Sequence, residues 1–180
     1  MIPLIFHTPR LTVLAASRAL LTAELHKPHY FPVLLGAALP AAWPTGQYDH
    51  DAMRYFLAQL TAGGRDAAGW YGWYALRHAT ADTPRTLVGA GGFMGPPDAA
   101  GTAEIGYSVA DEWRGQGLAT ELVAGLVQQA AATGQVRRLL AHTDPANAAS
   151  QRVLRRNGFA AAGPDDGRLR FARAVEPGAG

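Results

Sequence analysis

The sequence predicts an α/β or α+β fold with one mixed sheet, and three observations carry that prediction. Its periodicities run in the order strand, helices, about three antiparallel strands, then strand, helix, strand, helix, strand. At 180 residues the chain is long enough to fill one core and short for two. Its composition, 48% hydrophobic and 17% charged, is that of a compact chain and not of a disordered one. A single domain over residues 1–175 follows, with a flexible tail at 176–180.

Residues 8–14 read as a short first strand, and 17–26 as an amphipathic helix with Ser17 at its N-cap. The segment 28–50 holds Pro28, Pro32, Pro40 and Pro44 among several aromatics, which suits a folded surface segment better than a long helix. From Asp51, the residues Ala52, Tyr55, Phe56, Leu57 and Leu60 recur at helical spacing and stop at Gly63-Gly64. Two β-rich runs, 70–77 and 86–93, flank a polar turn at Asp82-Thr83-Pro84 and make a hairpin, with Trp70, Tyr71, Trp73 and Tyr74 mostly in the core. The cluster Gly89-Ala90-Gly91-Gly92 inside the second run marks a strand with close neighbours.

In 104–109, Ile105, Tyr107 and Val109 share one face of a strand, while Glu104, Gly106 and Ser108 make the other face small and polar. Leu118, Leu122, Leu126 and Ala130 then mark a helix ending near Gly134, and 138–143 is a further strand. The helix over 145–157 has Asn147 as N-cap and closes with Gly158 at C′ and Phe159 facing Leu154, a Schellman arrangement. Residues 159–174 fit a closing hairpin turning at Asp165-Asp166-Gly167.

Several classes of function fall away on composition. Without a cysteine there are no disulfides, thiolate metal sites or cysteine nucleophiles. The N-terminus is interrupted by Pro3, His7, Pro9 and Arg10, unlike a signal peptide, and no run approaches the roughly 20 apolar residues of a membrane span. The expected compartment is the cytoplasm, with no membrane partner. Net charge is only +2, but Arg137, Arg138, Arg152, Arg155, Arg156, Arg168, Arg170 and Arg173 crowd the last quarter, either as solvated faces or as an anion-attracting patch. No long basic stripe interleaved with aromatics points to nucleic acid.

The stretch Arg114-Gly115-Gln116-Gly117-Leu118-Ala119-Thr120 lies between a strand and a helix. A helix start leaves N–H groups unpaired and carries a positive partial charge, so small residues there admit an anion, with phosphate the expected class. A Walker loop would need a lysine, and a Rossmann turn would want glycine or alanine at Thr120. A plain tight turn leading into a helix is the alternative for these glycines.

Arg114-x-x-Gly117-x-Ala119, preceded by Glu104-Ile105-Gly106-Tyr107 and followed by Asn147-Ala148-Ala149-Ser150 and Gly158-Phe159, closely resembles the acetyl-CoA site of the GNAT superfamily of N-acetyltransferases. Thr8-Pro9-Arg10-Leu11 resembles the opening of the branch that includes the ribosomal-protein N-terminal acetyltransferases. The resemblance covers roughly residues 8–174, with 28–65 matched least, and implies a mostly antiparallel twisted sheet of about seven strands flanked by about four helices. It implies that backbone N–H groups of Gly115, Gln116, Gly117, Leu118, Ala119 and Thr120 hold a pyrophosphate, with Arg114 offering charge at the same mouth. It further places main chain near Ser108 and Val109 against the pantetheine arm, Asn147 on that arm, and Ser150 near the thiol.

One departure stands out: many family members carry a tyrosine at the position of Leu154, as the acid that protonates the departing thiolate. A thiol with a reference pKa of about 8.5 leaves readily without strong help, so Ser150 or a water can substitute. Glu104 is the best candidate base, directly or through water, against the alternative of a solvated edge carboxylate; His29, His78 and His142 are lesser candidates, and no spacing suggests a metal. The expected activity is acetyl transfer from acetyl-CoA to a primary amine, foremost a protein N-terminal α-amine. The rivals are a small-molecule amine acceptor and a CoA-binding sensor without turnover. A homodimer is compatible with this reading.

Overall fold

The computed structural model describes residues 2–176, so the tail expected at 176–180 lies, apart from Glu176, outside the described residues. One sheet runs through the molecule in the order β1-β2-β3-β4-β5-β6-β8-β7. Its strands are β1 (Ile5–His7), β2 (Leu11–Ala15), β3 (Tyr71–Arg77), β4 (Thr86–Met94), β5 (Thr102–Val109), β6 (Arg138–Thr143), β7 (Ala160–Asp165) and β8 (Arg168–Ala174). All neighbours pair antiparallel except β5 and β6. The helices are α1 (Arg18–His26), α2 (Phe31–Leu35), α3 (His50–Ala67), α4 (Leu118–Thr133) and α5 (Ala148–Arg156).

The sheet has eight strands and the described residues five α-helices, one more of each than expected. The added strand is β1, three residues between Pro3 and Pro9, too short for an alternating pattern to register. The added helix is α2, one turn with Pro at its start and Gly36 in a left-handed conformation at its end. Other boundaries follow the local chemistry: Ser17 accepts from Leu20 N–H as N-cap of α1, and α3 breaks at Gly64 (φ 57°) before its last turn. Asp166 and Gly167, both at positive φ, make the two-residue turn between β7 and β8.

Alternation along β3 divides the core. Trp73 and Ala75 pack with Leu118, Leu122 and Leu126 of α4, whereas Tyr74 and Leu76 pack with Leu20 and Leu21 of α1 and Phe56 of α3. Each side of the central strands is thus covered by helix, and Gly89 and Gly91 of β4 let β5 approach. A Cβ on Gly89 would lie 2.5 Å from the Ser108 carbonyl oxygen, and one on Gly91 2.9 Å from that of Gly106.

The segment 28–50 is not the surface strap its prolines suggest, because Phe31, Leu35, Thr45 and Tyr48 are buried. It is pinned by Glu24 of α1, itself 7% exposed. Glu24 Oε1 accepts from Trp43 Nε1 (2.8 Å), and Oε2 accepts from the hydroxyls of Tyr48 (2.8 Å) and Tyr74 (2.6 Å). Burial raises the Glu24 carboxyl above its usual range, against the pull of these three donors. Glu24→Ala strands three donors and is expected to cost about 2–4 kcal/mol, read as a lowered Tm, with Glu24→Gln costing less. Equal melting of Glu24→Ala and wild type would show that the cluster does not hold the segment. Among the described residues no helix is long and apolar enough to cross a membrane.

Candidate functional site

The site begins where two strands part. β5 and β6 pair in parallel from Thr102↔Arg138 to Ile105↔Ala141 and no further, while β5 stays paired to β4 as far as Gly89↔Val109. Residues 106–109 therefore have a sheet neighbour on one side only. The Ala110 N–H donates to the Val88 carbonyl (2.9 Å). Hydrogen bonding alternates along an antiparallel pair, so the main chain of Gly106 and Ser108 faces β4 while that of Tyr107 and Val109 faces the gap. This corrects one expectation: of Ser108 and Val109, only Val109 offers main chain to the opening, and Tyr107 joins it. The Val109 carbonyl already accepts from Arg114 Nε (3.1 Å).

After Val109 the chain makes a short 3₁₀ turn, Asp111–Trp113, and enters α4 through Gly115 (φ 74°) and Gly117 (φ 79°). Both angles are left-handed, a conformation that costs a residue with a Cβ about 1–2 kcal/mol. The first helical bond runs from Glu121 N–H to Gly117 O (3.1 Å), so the N–H groups of Gly117, Leu118, Ala119 and Thr120 precede the ladder and are free for an anion. Leu118 has a buried side chain and offers only its backbone, whereas Gly115, Gln116 and Gly117 are exposed.

The loop and the helix start are fastened by residues 106 to 113 positions away in sequence. Glu121 Oε1 accepts from Thr8 Oγ1 (2.6 Å) and from the Arg10 N–H (2.7 Å), while Oε2 takes Arg10 Nε at 2.7 Å. Arg10 Nη1 in turn donates to the Gln116 carbonyl (2.9 Å). Burial alone raises the Glu121 carboxyl, but these hydrogen bonds and the Arg10 charge outweigh it and hold the group below its usual range. The carboxylate at this helix start is thereby neutralised, which preserves the site for an external anion. Arg114, by contrast, is tied to Asp111 (2.9 Å) as well as to Val109, with its side chain 59% exposed.

On the far side of the gap lies the start of α5. Asn147 Oδ1 accepts from Ser150 N–H (3.0 Å), the expected cap, and the closing bonds Gly158 N–H to Arg155 O (3.0 Å) and Phe159 N–H to Leu154 O (3.0 Å) are those of a Schellman end. Leu154 is fully buried. The Tyr107 hydroxyl, on the face of β5 that alternation assigns to Ile105 and Val109, lies 2.9 Å from Ser150 Oγ and donates to the Ser150 carbonyl (3.2 Å). Burial raises the Tyr107 phenol, only partly offset by Ser150, so it keeps its proton. The pair places two hydroxyls at the mouth of the gap.

Glu104 projects from the face of β5 shared with Gly106 and Ser108, and it is not a solitary carboxylate. His142 Nδ1 lies 2.8 Å from Glu104 Oε1, and His142 Nε2 lies 2.9 Å from Asp165 Oδ2. The partners of His142 come from other strands, so the sequence shows it only as a lone histidine. Several of the clustered arginines prove to be structural: Arg155 stacks 5.5 Å from the Phe171 ring, Arg173 donates to the Asn157 carbonyl, and Arg170 to that of Ala162 (3.2 Å).

Beside Gly106, on the Glu104 face, opens a cavity of about 120 Å³ lined by Tyr48, Phe56, Gly91, Met94, Tyr107 and Ser108, among others. It is roofed by the segment that Glu24 pins, and no carboxylate lines it. A wider, shallower groove of about 660 Å³ between α1, α2 and α3, lined by Arg18, Lys27 and Leu34 among others, includes none of the expected site residues.

Residues 20–160 match the model of the acetyltransferase (GNAT) domain. The uncharacterized N-acetyltransferase YjdG of Bacillus subtilis (strain 168) is 26% identical over 155 residues, 86% of this chain and 89% of that protein. Among solved structures, RimL, a ribosomal α-N-protein acetyltransferase in complex with coenzyme A, superposes with a TM-score of 0.62 at 21% identity, covering 98% of both chains. A ribosomal-protein alanine acetyltransferase from Vibrio fischeri superposes at 0.64 with 14% identity, covering 96% of this chain and 97% of that one.

Proposed function

The chain belongs to the GNAT acetyltransferase family and is an acetyl-CoA-dependent acetyltransferase, and from that premise we propose that residues 1–175 act as one domain that acetylates protein N-terminal α-amines. The observation that carries the proposal is the succession, along residues 106–120, of an uncharged cavity beside Gly106, a β5 edge that β6 leaves unpaired and the open start of α4.

The residues suit the cosubstrate. The backbone N–H groups of 115–120 receive the pyrophosphate, because the left-handed glycines turn them outward and Arg10 has already neutralised Glu121. The main chain of Tyr107 and Val109 pairs with the pantetheine arm as an added strand would, and the Asn147 amide nitrogen, with its oxygen committed to the cap, donates to the same arm. The amine enters through the cavity. Its nitrogen forms a bond to the thioester carbon, the carbon–sulfur bond breaks with its electron pair going to sulfur, Glu104 takes the amine's proton, and the Ser150–Tyr107 hydroxyls relay a proton from water to the sulfur, each regaining the one it passes on. These hydroxyls fill the role left vacant by Leu154.

An α-amine acceptor agrees with RimL being an α-N-protein acetyltransferase and with the cavity's apolar walls, which give a polycation no counter-charge. Acetyl transfer to a panel of short peptides and to small polyamines, followed by thiol release, is expected to give a kcat/KM at least about 100-fold higher for the best peptide. A polyamine that outruns every peptide would reassign the acceptor to a small molecule.

A further inference from the structure

Glu104 and Asp165 are half-exposed, with side chains 40% and 45% exposed, whereas the His142 side chain between them is only 8% exposed. A buried imidazole held at both nitrogens by carboxylates is a built arrangement drawn from β5, β6 and β7. Ionised carboxylates only accept hydrogen bonds, so satisfying both contacts requires a proton on each ring nitrogen, or one proton shared between Glu104 and Nδ1. The charged groups facing the ring are Glu104 from β5, Asp165 from β7 and, from β8, Arg170 directly opposite in register with Arg168 beyond it. The Arg170 guanidinium lies 3.7 Å from Asp165 and opposes the extra proton. The hydrogen bond from His142 is the main cause that holds the Asp165 carboxyl below its usual range, so this carboxylate stays charged.

Glu104 sits two residues down β5 from Gly106 on the same face, a separation of roughly 7 Å along the strand. A carboxylate on an exposed edge has many rotamers, and only some aim an oxygen at the cavity. Resting on the reading of Glu104 as the base, we propose that His142, braced by Asp165, is the positioning residue that ties down Oε1 of Glu104 so that Oε2 faces the acceptor amine. The amine's proton then moves to Oε2 and passes to water between turnovers.

The test measures kcat and KM against pH for wild type, His142→Gln, Asp165→Asn, Glu104→Gln and the Glu104→Gln/His142→Gln pair, with a peptide amine and acetyl-CoA. His142→Gln is expected to lower kcat about 10–100-fold at pH 7 and to leave the KM for acetyl-CoA unchanged. Asp165→Asn gives a smaller loss of kcat, again at unchanged KM for acetyl-CoA, and the double variant is no slower than Glu104→Gln alone. Asp165 is half-exposed at a strand end, so its variant carries the test if His142→Gln melts early. A wild-type kcat in either folded variant, or losses that multiply in the double variant, would overturn the role of His142. If wild type acetylates a small amine and no peptide, the acceptor reading falls, and the same variants measured with that amine still decide the role of His142.

Discussion

Titrated with acetyl-CoA in a calorimeter, Ala119→Leu is expected to show at least about a 100-fold loss of affinity while melting close to wild type. Ala119 lies in the first turn of α4, half-buried, next to N–H groups that no protein acceptor satisfies. A leucine there projects over those groups, where phosphate oxygens must come within about 3 Å of nitrogen. Each charge-assisted bond lost costs about 1.5–3 kcal/mol, so losing two is enough for the stated effect. Gly117→Val should also fail to bind, but it forces a β-branched residue to a φ of 79° and so confuses strain with occlusion. Unchanged affinity in a folded Ala119→Leu protein would remove the helix start from the cosubstrate site.

What the sequence made legible was what local chemistry dictates. Capping residues, the left-handed glycines and the alternation in β3 and β5 act within a few positions, and the elements around Ser17, Gly64, Gly134 and Gly158 form where these signals stand. The glycine-rich start of α4 was legible for the same reason. The partners were not. Arg10 and Glu121 meet across 111 positions, His142 and Glu104 across 38, and Tyr107 and Ser150 across 43, and no periodicity links residues so far apart. Tyr107 illustrates the difficulty. Alternation puts it on the core side with Ile105 and Val109, but the parting of β5 from β6 leaves that side open just where its hydroxyl reaches α5. The roof over the cavity was hidden differently. Prolines and aromatics in 28–50 gave no period, and its order comes from one buried carboxylate on another helix.

Glu104→Gln is expected to lower kcat about 10²–10⁴-fold at pH 7, the largest effect of any single change on turnover. An amine attacks a thioester only as its lone pair, and the nitrogen must then shed a proton. An α-amine with a pKa of about 7.7–8.0 is partly neutral at pH 7, so a nearby carboxylate completes the step; a lysine amine at about 10.4 would ask far more of it. Glutamine keeps the size and the contact to His142 but cannot take the proton. Raising the pH should restore much of the rate, because free amine and hydroxide then replace the missing base, whereas a variant damaged in binding would show no such recovery. Ser150→Ala should cost less than Glu104→Gln, since the thiolate leaves well unaided and the Tyr107 hydroxyl remains beside the gap. The pH–rate profiles of wild type and both variants decide the matter: full activity of Glu104→Gln across the range would move the base to another group or to solvent, and a Ser150→Ala loss exceeding that of Glu104→Gln would make thiolate protonation the harder step.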